Sequence, residues 1–171
     1  TSSTKYTATF TPTATGAATI NIAADTFTDA TGNGNTAVTE FNWTYDDISP
    51  TMAITAAEGL PGFTSNDPTL FLTFYSSKAT SDFAVGDITV TNGTLSNDFS
   101  ATSSTVYTVT FTPSAEGAVT INIAADTFTD AAGNSNIAAT DFNWTYDTTS
   151  PTVTISSTAS LPTNISPIPI T

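Results

Sequence analysis

Apolar and polar residues alternate with a period of two over several short stretches of this chain. Tyr107, Val109 and Phe111 alternate with Thr108, Thr110 and Thr112, and Val119, Ile121 and Ile123 alternate with Thr120 and Asn122. Phe142, Trp144 and Tyr146 alternate with Asn143 and Thr145. Strict alternation predicts strands with one buried and one wetted face. A Thr-rich wet face suits strand propensity. Further strands are expected at Thr51–Ala56, at the more continuously apolar Thr69–Tyr75, and at Asp87–Val90. Asn92-Gly93 is a hairpin signal, since both residues accept positive φ, and a strand near Leu95–Ala101 would return from it. No segment holds a helical period. About seven strands in about 100 residues predict a β-sandwich of immunoglobulin type. Trp144 and its counterpart Trp43 are in phase with the buried side and are expected in the core.

The pattern also repeats. A shift of 101 positions lays "YTATFTP" (Tyr6–Pro12) on "YTVTFTP" (Tyr107–Pro113) and "FNWTYD" (Phe41–Asp46) on Phe142–Asp147. The stretch "TINIAADTFTDA" occurs unchanged at Thr19–Ala30 and Thr120–Ala131. From Lys5 to Pro50 roughly three quarters of positions are identical to their counterparts, which marks tandem modules. Residue 1 corresponds to residue 102. The expected organisation is therefore the C-terminal part of one module in 1–46, a complete module in 47–147, and the N-terminal part of the next in 148–171. The chain is expected to be a window from a longer array. Exchange of the two part-modules between neighbouring chains would leave out everything equivalent to Phe71–Ala101, and so is disfavoured.

The order "SPTMAI … GDITVTNGTLS … YTVTFTPSAEGAVTINIAADTFTDAAGNSN … FNWTYD" resembles bacterial Ig-like domains over the whole chain. "GDITVTNGT" (Gly86–Thr94) and "DAAGN" (Asp130–Asn134) carry the resemblance most clearly. The resemblance implies tandem modules in large surface and extracellular proteins, acting mainly as spacers in adhesins, sheaths and fibres. It also implies calcium at the linkers of some relatives.

Charge narrows the functional classes. The chain of 171 residues holds 15 acidic residues, two basic ones (Lys5 and Lys78) and no His, for a net charge of −13. Phosphate backbones are bound through Lys and Arg, so nucleic acid is not an expected partner, and an anionic membrane surface is disfavoured for the same reason. No apolar run approaches the ~20 residues of a membrane span, so no membrane insertion is expected. Without Cys there are no disulfides or thiolate sites. Without His, Cys or Arg, the usual nucleophilic triads are excluded and no enzyme activity is expected.

The carboxylates remain as candidate ligands. Calcium takes six to eight oxygens from carboxylates, amides and carbonyls. Asp126, Asp130 and Asn134, with Asn136, offer such oxygens in "DTFTDAAGNSN". If that stretch were extended, Asp126 and Asp130 would share a face with Phe128. Asp46, Asp47 and Asp147 lie where one module meets the next, and Glu58 and Asp67 are candidates to approach them. The alternative reading is an Asx-rich turn and a solvated acidic linker. Lys78 is the sole candidate for a Lys–Asn isopeptide repeated with the module, and a Thr–Gln ester is excluded by the absence of Gln. Sequons stand at Asn42, Asn92, Asn143 and Asn164.

The expected function is a structural repeat segment of an extracellular or cell-surface fibre, sheath or adhesin shaft. Its expected partners are adjacent modules of the same chain; exposed sheet edges can also pair with identical chains in a filament, and the pattern leaves open whether the array stands alone or packs laterally. The alternative is a calcium-dependent adhesive or carbohydrate-binding module.

Overall fold

A computed structural model of the chain describes residues 4–159 together with 162, 164, 166, 167, 170 and 171. Two strands come first: β1 (Gly16–Ile20) and β2 (Phe41–Tyr45), paired antiparallel in a sheet of their own. Nine follow: β3 (Met52–Ala56), β4 (Phe63–Ser65), β5 (Leu70–Ser76), β6 (Ile88–Val90), β7 (Gly93–Leu95), β8 (Ser100–Ser103), β9 (Val106–Pro113), β10 (Gly117–Ile123) and β11 (Phe142–Tyr146). One 3-10 turn, Val85–Asp87, precedes β6. The described residues hold no α-helix.

The nine strands build two facing sheets. One has the order β4-β11-β10-β6. The other runs β3-β5-β9-β7, with β8 also paired to β9. Alternation along β5, β9, β10 and β11 sends one set of side chains into the space between the sheets. Leu70, Leu72, Phe74, Val109, Phe111, Val119, Ile121, Ile123, Phe142 and Trp144 are buried there. Parallel pairing of β11 with β4 closes one edge, and the Phe63 ring stacks on Trp144 at 5.8 Å. The Trp144 indole N–H donates to Ser65 Oγ at 3.1 Å, so its polar end is satisfied.

Three expectations change. Thr69–Tyr75 reads as continuously apolar, yet β5 alternates, with Phe71 and Tyr75 turned outward and about half exposed. The Asn-Gly turn does not make a hairpin: β6 pairs with β10 and β7 with β9, so the chain crosses between sheets there. Asn92 supplies the turn at φ 53°, and Gly93 allows a close approach. A Cβ on Gly93 would lie 2.2 Å from the Phe111 ring. Trp43, expected in the core, is 41% exposed, against 1% for Trp144. The reason is visible in the pairing. β1–β2 has the same register as β10–β11, Ala18↔Trp43 matching Val119↔Trp144, but no second sheet faces it among the described residues. Likewise residues 153–157, the counterparts of β3, form no strand, and Val153 and Ile155 are exposed.

Candidate functional site

The long connection after β10 is ordered by a buried amide. Asn136 is 2% exposed. Its Oδ1 accepts from the Thr127 and Phe128 N–H groups at 2.8 and 3.0 Å, and its Nδ2 donates to the Ala124 and Ile137 carbonyls at 2.8 and 3.0 Å. The stretch is therefore looped rather than extended. Asp126 takes φ 61° and is exposed, whereas Asp130 is buried, so the two do not share a face. Asp130 shapes the tip: its Oδ1 accepts from the N–H groups of Ala132 and Asn134, both at 2.9 Å, and Gly133 turns at φ 88°. Asp29 and Asn33 repeat this tip in the first copy, and Asn35 repeats the Asn136 bonds.

The second Asp130 oxygen faces Lys78, at 2.9 Å from Nζ. The same ammonium lies 2.7 and 2.8 Å from the two Asp46 oxygens and also donates to the Ile48 carbonyl. Asn134 Nδ2 donates to the Asp46 carbonyl at 3.1 Å. Residues 46–51 therefore run over a receptor made by Lys78, Asp130 and Asn134. Backbone bonds from Ile137 to Pro50 at 3.1 Å and from Ser77 to Thr51 at 2.9 Å extend it. Electrostatics follow the contacts. Lys78 holds Asp46 below the usual aspartate range. Lys78 and Asn134 hold Asp130 well below it. Partial desolvation pulls Lys78 down, but the two carboxylates outweigh it and raise the ammonium above the ordinary lysine value.

A second contact holds the far side of each strand exit, and it is built in two ways. At the first exit the Thr15 hydroxyl donates to the Asp47 carboxylate, and the Asp47 N–H returns to Thr15 Oγ1 at 3.3 Å. At the second exit the counterparts are exchanged in type: the Glu116 carboxylate accepts from the Thr148 N–H at 2.8 Å and from its hydroxyl. Hydroxyl and carboxylate have traded places while the contact remains. Thr148 and Thr149 together hold Glu116 below the usual glutamate range. Each exit also caps itself: the Ile48 N–H donates to Asp46 Oδ1 at 3.1 Å and the Thr149 N–H to Asp147 Oδ1 at 2.9 Å.

Of the six candidate ligands, the structure brings together Asp46, Asp130 and Asn134, with a lysine between the two carboxylates. Asp47 turns to Thr15, Asp147 sits at the other exit, and Asp126 stands apart in solvent. Glu58 accepts from the Phe71 N–H, and the Asp67 N–H donates to Ser65 Oγ, so neither is bonded to Asp46. Among the described residues no three acidic side chains gather closely enough to hold one ion. The sequence reading weighed Lys78 only as a cross-linking lysine and missed it as the partner of both carboxylates. Its signal was available: it is the only basic residue in 47–147. Among the sequons, Asn42 and Asn143 are exposed and each accepts from a neighbouring Thr hydroxyl at 2.9 Å. Asn164 is exposed. Asn92 is half-buried, and the nitrogen that would carry a sugar donates to the Ala115 carbonyl at 2.8 Å.

A two-sheet sandwich with an immunoglobulin-like strand count, carrying a polar clamp on the segment that enters it, defines a structural module of immunoglobulin type. The bacterial Ig-like domain family matches residues 46–146, and the chain belongs to that family. No curated protein and no solved structure matches the chain. Domains of this family are in general structural rather than catalytic and typically occur in surface proteins. No helix among the described residues is long and apolar enough to cross a membrane.

Proposed function

We propose that this chain is a segment of a tandem array whose modules are 1–46 (C-terminal part), 47–147 and 148–171 (N-terminal part), serving as the spacer shaft of an extracellular fibre, sheath or adhesin. One observation carries the reading: at both strand exits, 101 residues apart, a hydroxyl–carboxylate contact is kept even where the residues differ, while among the described residues the Lys78 clamp is built at the first exit alone. A contact kept through exchange of its partners between Thr15–Asp47 and Glu116–Thr148 is one that the array uses. The joint is semi-rigid, because Lys78 and Asn134 fix the entering chain at both side chain and backbone of Asp46. Pro50 and Pro151 further restrict their neighbours. The surrounding Thr-rich, acidic surface keeps such a shaft dispersed.

Small-angle scattering on three tandem copies of residues 47–147 tests this. A compact particle of about 300 residues has a radius of gyration of roughly 19 Å. The array is expected to exceed that substantially and to lengthen in equal steps as copies are added. A value that stays near the compact figure overturns the proposal.

A further inference from the structure

The complete sandwich has four sheet edges, and three of them are poorly suited to a further strand. β4 is three residues long and runs toward Asp67-Pro68. β6 is three residues long and follows directly on Asp87. Between β7 and β8 the edge is broken at residues 96–99, where the Asp98 carboxylate takes the Thr110 N–H at 3.1 Å and its hydroxyl at 2.6 Å. Short strands, inserted charges and breaks of this kind keep a sheet from accepting a neighbour. β3 carries neither a charge nor a break. Its five residues, Met52–Ala56, pair with β5 alone. The Thr51 carbonyl accepts from the Ser77 N–H at 2.9 Å, and the Ala57 N–H donates to the Phe71 carbonyl at 3.1 Å. These two bonds set the alternation: residues 51, 53, 55 and 57 turn their backbone groups to β5. Those of Met52, Ile54 and Ala56 point away from it, and among the described residues no strand pairs with them there. No residue from Ile48 to Ala57 is charged, in a chain with 15 acidic residues. The link from β3 to β4 stands at the same edge and carries Leu60, which is 81% exposed.

We infer that the free edge of β3 is a self-association site whose occupant is β3 of a second copy of this chain, laid antiparallel. The strand is self-complementary about Ile54. Ile54 meets its own counterpart, Met52 meets Ala56 and Ala56 meets Met52, so all three outward residues find partners at once through about six backbone bonds. The alternation continues across the join. Met52 and Ile54 stay on the core side, and Ala53 and Thr55 on the wet side, where Ala53 of one copy stands opposite Thr55 of the other. The two larger sheets become one, in the order β9-β5-β3-β3-β5-β9, and the Leu60 side chains are carried toward the same join. The uncharged window lets two chains of net charge −13 meet here. The nearest carboxylate along the strand, Glu58, falls opposite Pro50 rather than another acid, and it already accepts from the Phe71 N–H at 2.9 and 3.1 Å. Long-range repulsion still opposes the approach, so pairing strengthens as salt shortens the Debye length. The pairing belongs to a single module and does not depend on how many modules precede or follow it.

Sedimentation of the 171-residue chain in low and high salt tests this. The expected result is a species of twice the 17.6 kDa mass that grows with protein concentration and with salt up to about 1 M. Ala53→Glu with Thr55→Glu sets carboxylates opposite each other on both sides of the central Ile54 pair, and is expected to abolish the dimer at physiological salt. Ala53→Lys with Thr55→Glu sets a lysine opposite each glutamate, and is expected to restore it. Both positions are exposed, so the sandwich keeps its fold, which the emission of the buried Trp144 checks. Hydrogen exchange on the unmodified chain gives a reading free of any substitution. The Ile54 and Ala56 N–H groups are expected to slow on association, whereas those of Ala53 and Thr55, already in the β5 ladder, stay as they are. A chain that remains monomeric at high salt overturns the inference. So does a folded Lys/Glu variant that fails to recover the dimer. A dimer equally strong in the Glu/Glu variant, or one that leaves Ile54 exchange unchanged, also overturns it and places the contact elsewhere, such as on the exposed β1–β2 sheet.

Discussion

Asn35 and Asn136 have the same bonds and different burial, which makes a quantitative experiment. In Asn136→Leu the Oδ1 acceptor for the Thr127 and Phe128 N–H groups disappears, along with the Nδ2 donor to Ala124 and Ile137. Ala124 and Ile137 are exposed, so their carbonyls turn to water at little cost. Phe128 is 1% exposed and Thr127 half-buried, so their N–H groups are stranded. One fully stranded donor and one partly stranded donor, at about 1–3 kcal/mol each, give a loss of about 3 kcal/mol. In Asn35→Leu the same four bonds are lost, but Thr26 and Phe27 are exposed and water replaces the amide. The expected loss there is under about 1 kcal/mol. Urea denaturation followed through Trp144 measures the first. Trp43 emission, the exposed component, serves the second. Equal losses at the two sites, or a loss below about 1 kcal/mol for Asn136→Leu, would refute the claim that this amide acts by satisfying buried backbone donors.

Three further outcomes are expected. Lys78→Met leaves Asp46 and Asp130 facing each other, and the joint is expected to loosen while the sandwich stays folded; NMR relaxation of residues 46–51 reads this, and unchanged order there would count against the clamp. The depressed Asp46 and Asp130 values make the clamp fully effective above the ordinary aspartate value of 3.8, with loss as pH falls through their lower folded values; the raised Lys78 value confines alkaline loss to pH above 10.5, so joint order should be flat from about pH 5 to 9. Glu116→Thr is expected to weaken the second exit, and adding Thr148→Asp to recover it by recreating the Thr15–Asp47 pairing; a double-mutant cycle without positive coupling would show that the exchange is incidental. Calcium is expected to leave the melting temperature unchanged relative to EDTA, because one ammonium already binds both carboxylates; a calcium-dependent rise would restore Asp46 and Asp130 as ligands.

What the chain discloses in sequence depends on whether burial is one-sided and local. β9, β10 and β11 were readable because Thr and Asn occupy each outward position between large apolar residues. β5 was readable as a strand but not in its facing, since Phe71 and Tyr75 are apolar on the wet side as well. The Asn92-Gly93 turn was readable, but its partners were not: a turn signal says that the chain reverses or bends, whereas the choice between β10 and β9 as neighbours is made by packing far along the sequence. Asn136 looked like one more polar loop residue, because the backbone groups it satisfies are visible only after the loop closes. Trp43 was expected buried from phase alone, and phase names the face, not whether anything covers it. Lys78 was weighed only as a cross-linking nucleophile, since its contacts to Asp46 and Asp130 span 32 and 52 residues.

The charge balance gives Lys78 a consequence beyond its bonds to Asp46, Ile48 and Asp130. In the proposed array a module with a single basic residue would meet a neighbour of the same kind, so end-to-end contact would be opposed by repulsion; within the structure Asp130 itself acts to raise Asp46. Placing the one ammonium between those two carboxylates converts the least favourable point of the junction into an attractive one. The two effects have different ranges. Repulsion between whole modules acts over tens of ångströms and is screened when the Debye length falls to about 8 Å at physiological salt and about 3 Å at 1 M. The clamp acts at 2.7–2.9 Å, within even the shorter length. Raising the salt concentration therefore removes the repulsion before it removes the clamp. For the proposed array this predicts joints straightened chiefly by charge at low salt and set by the geometry of Lys78, Asp46 and Asn134 at high salt.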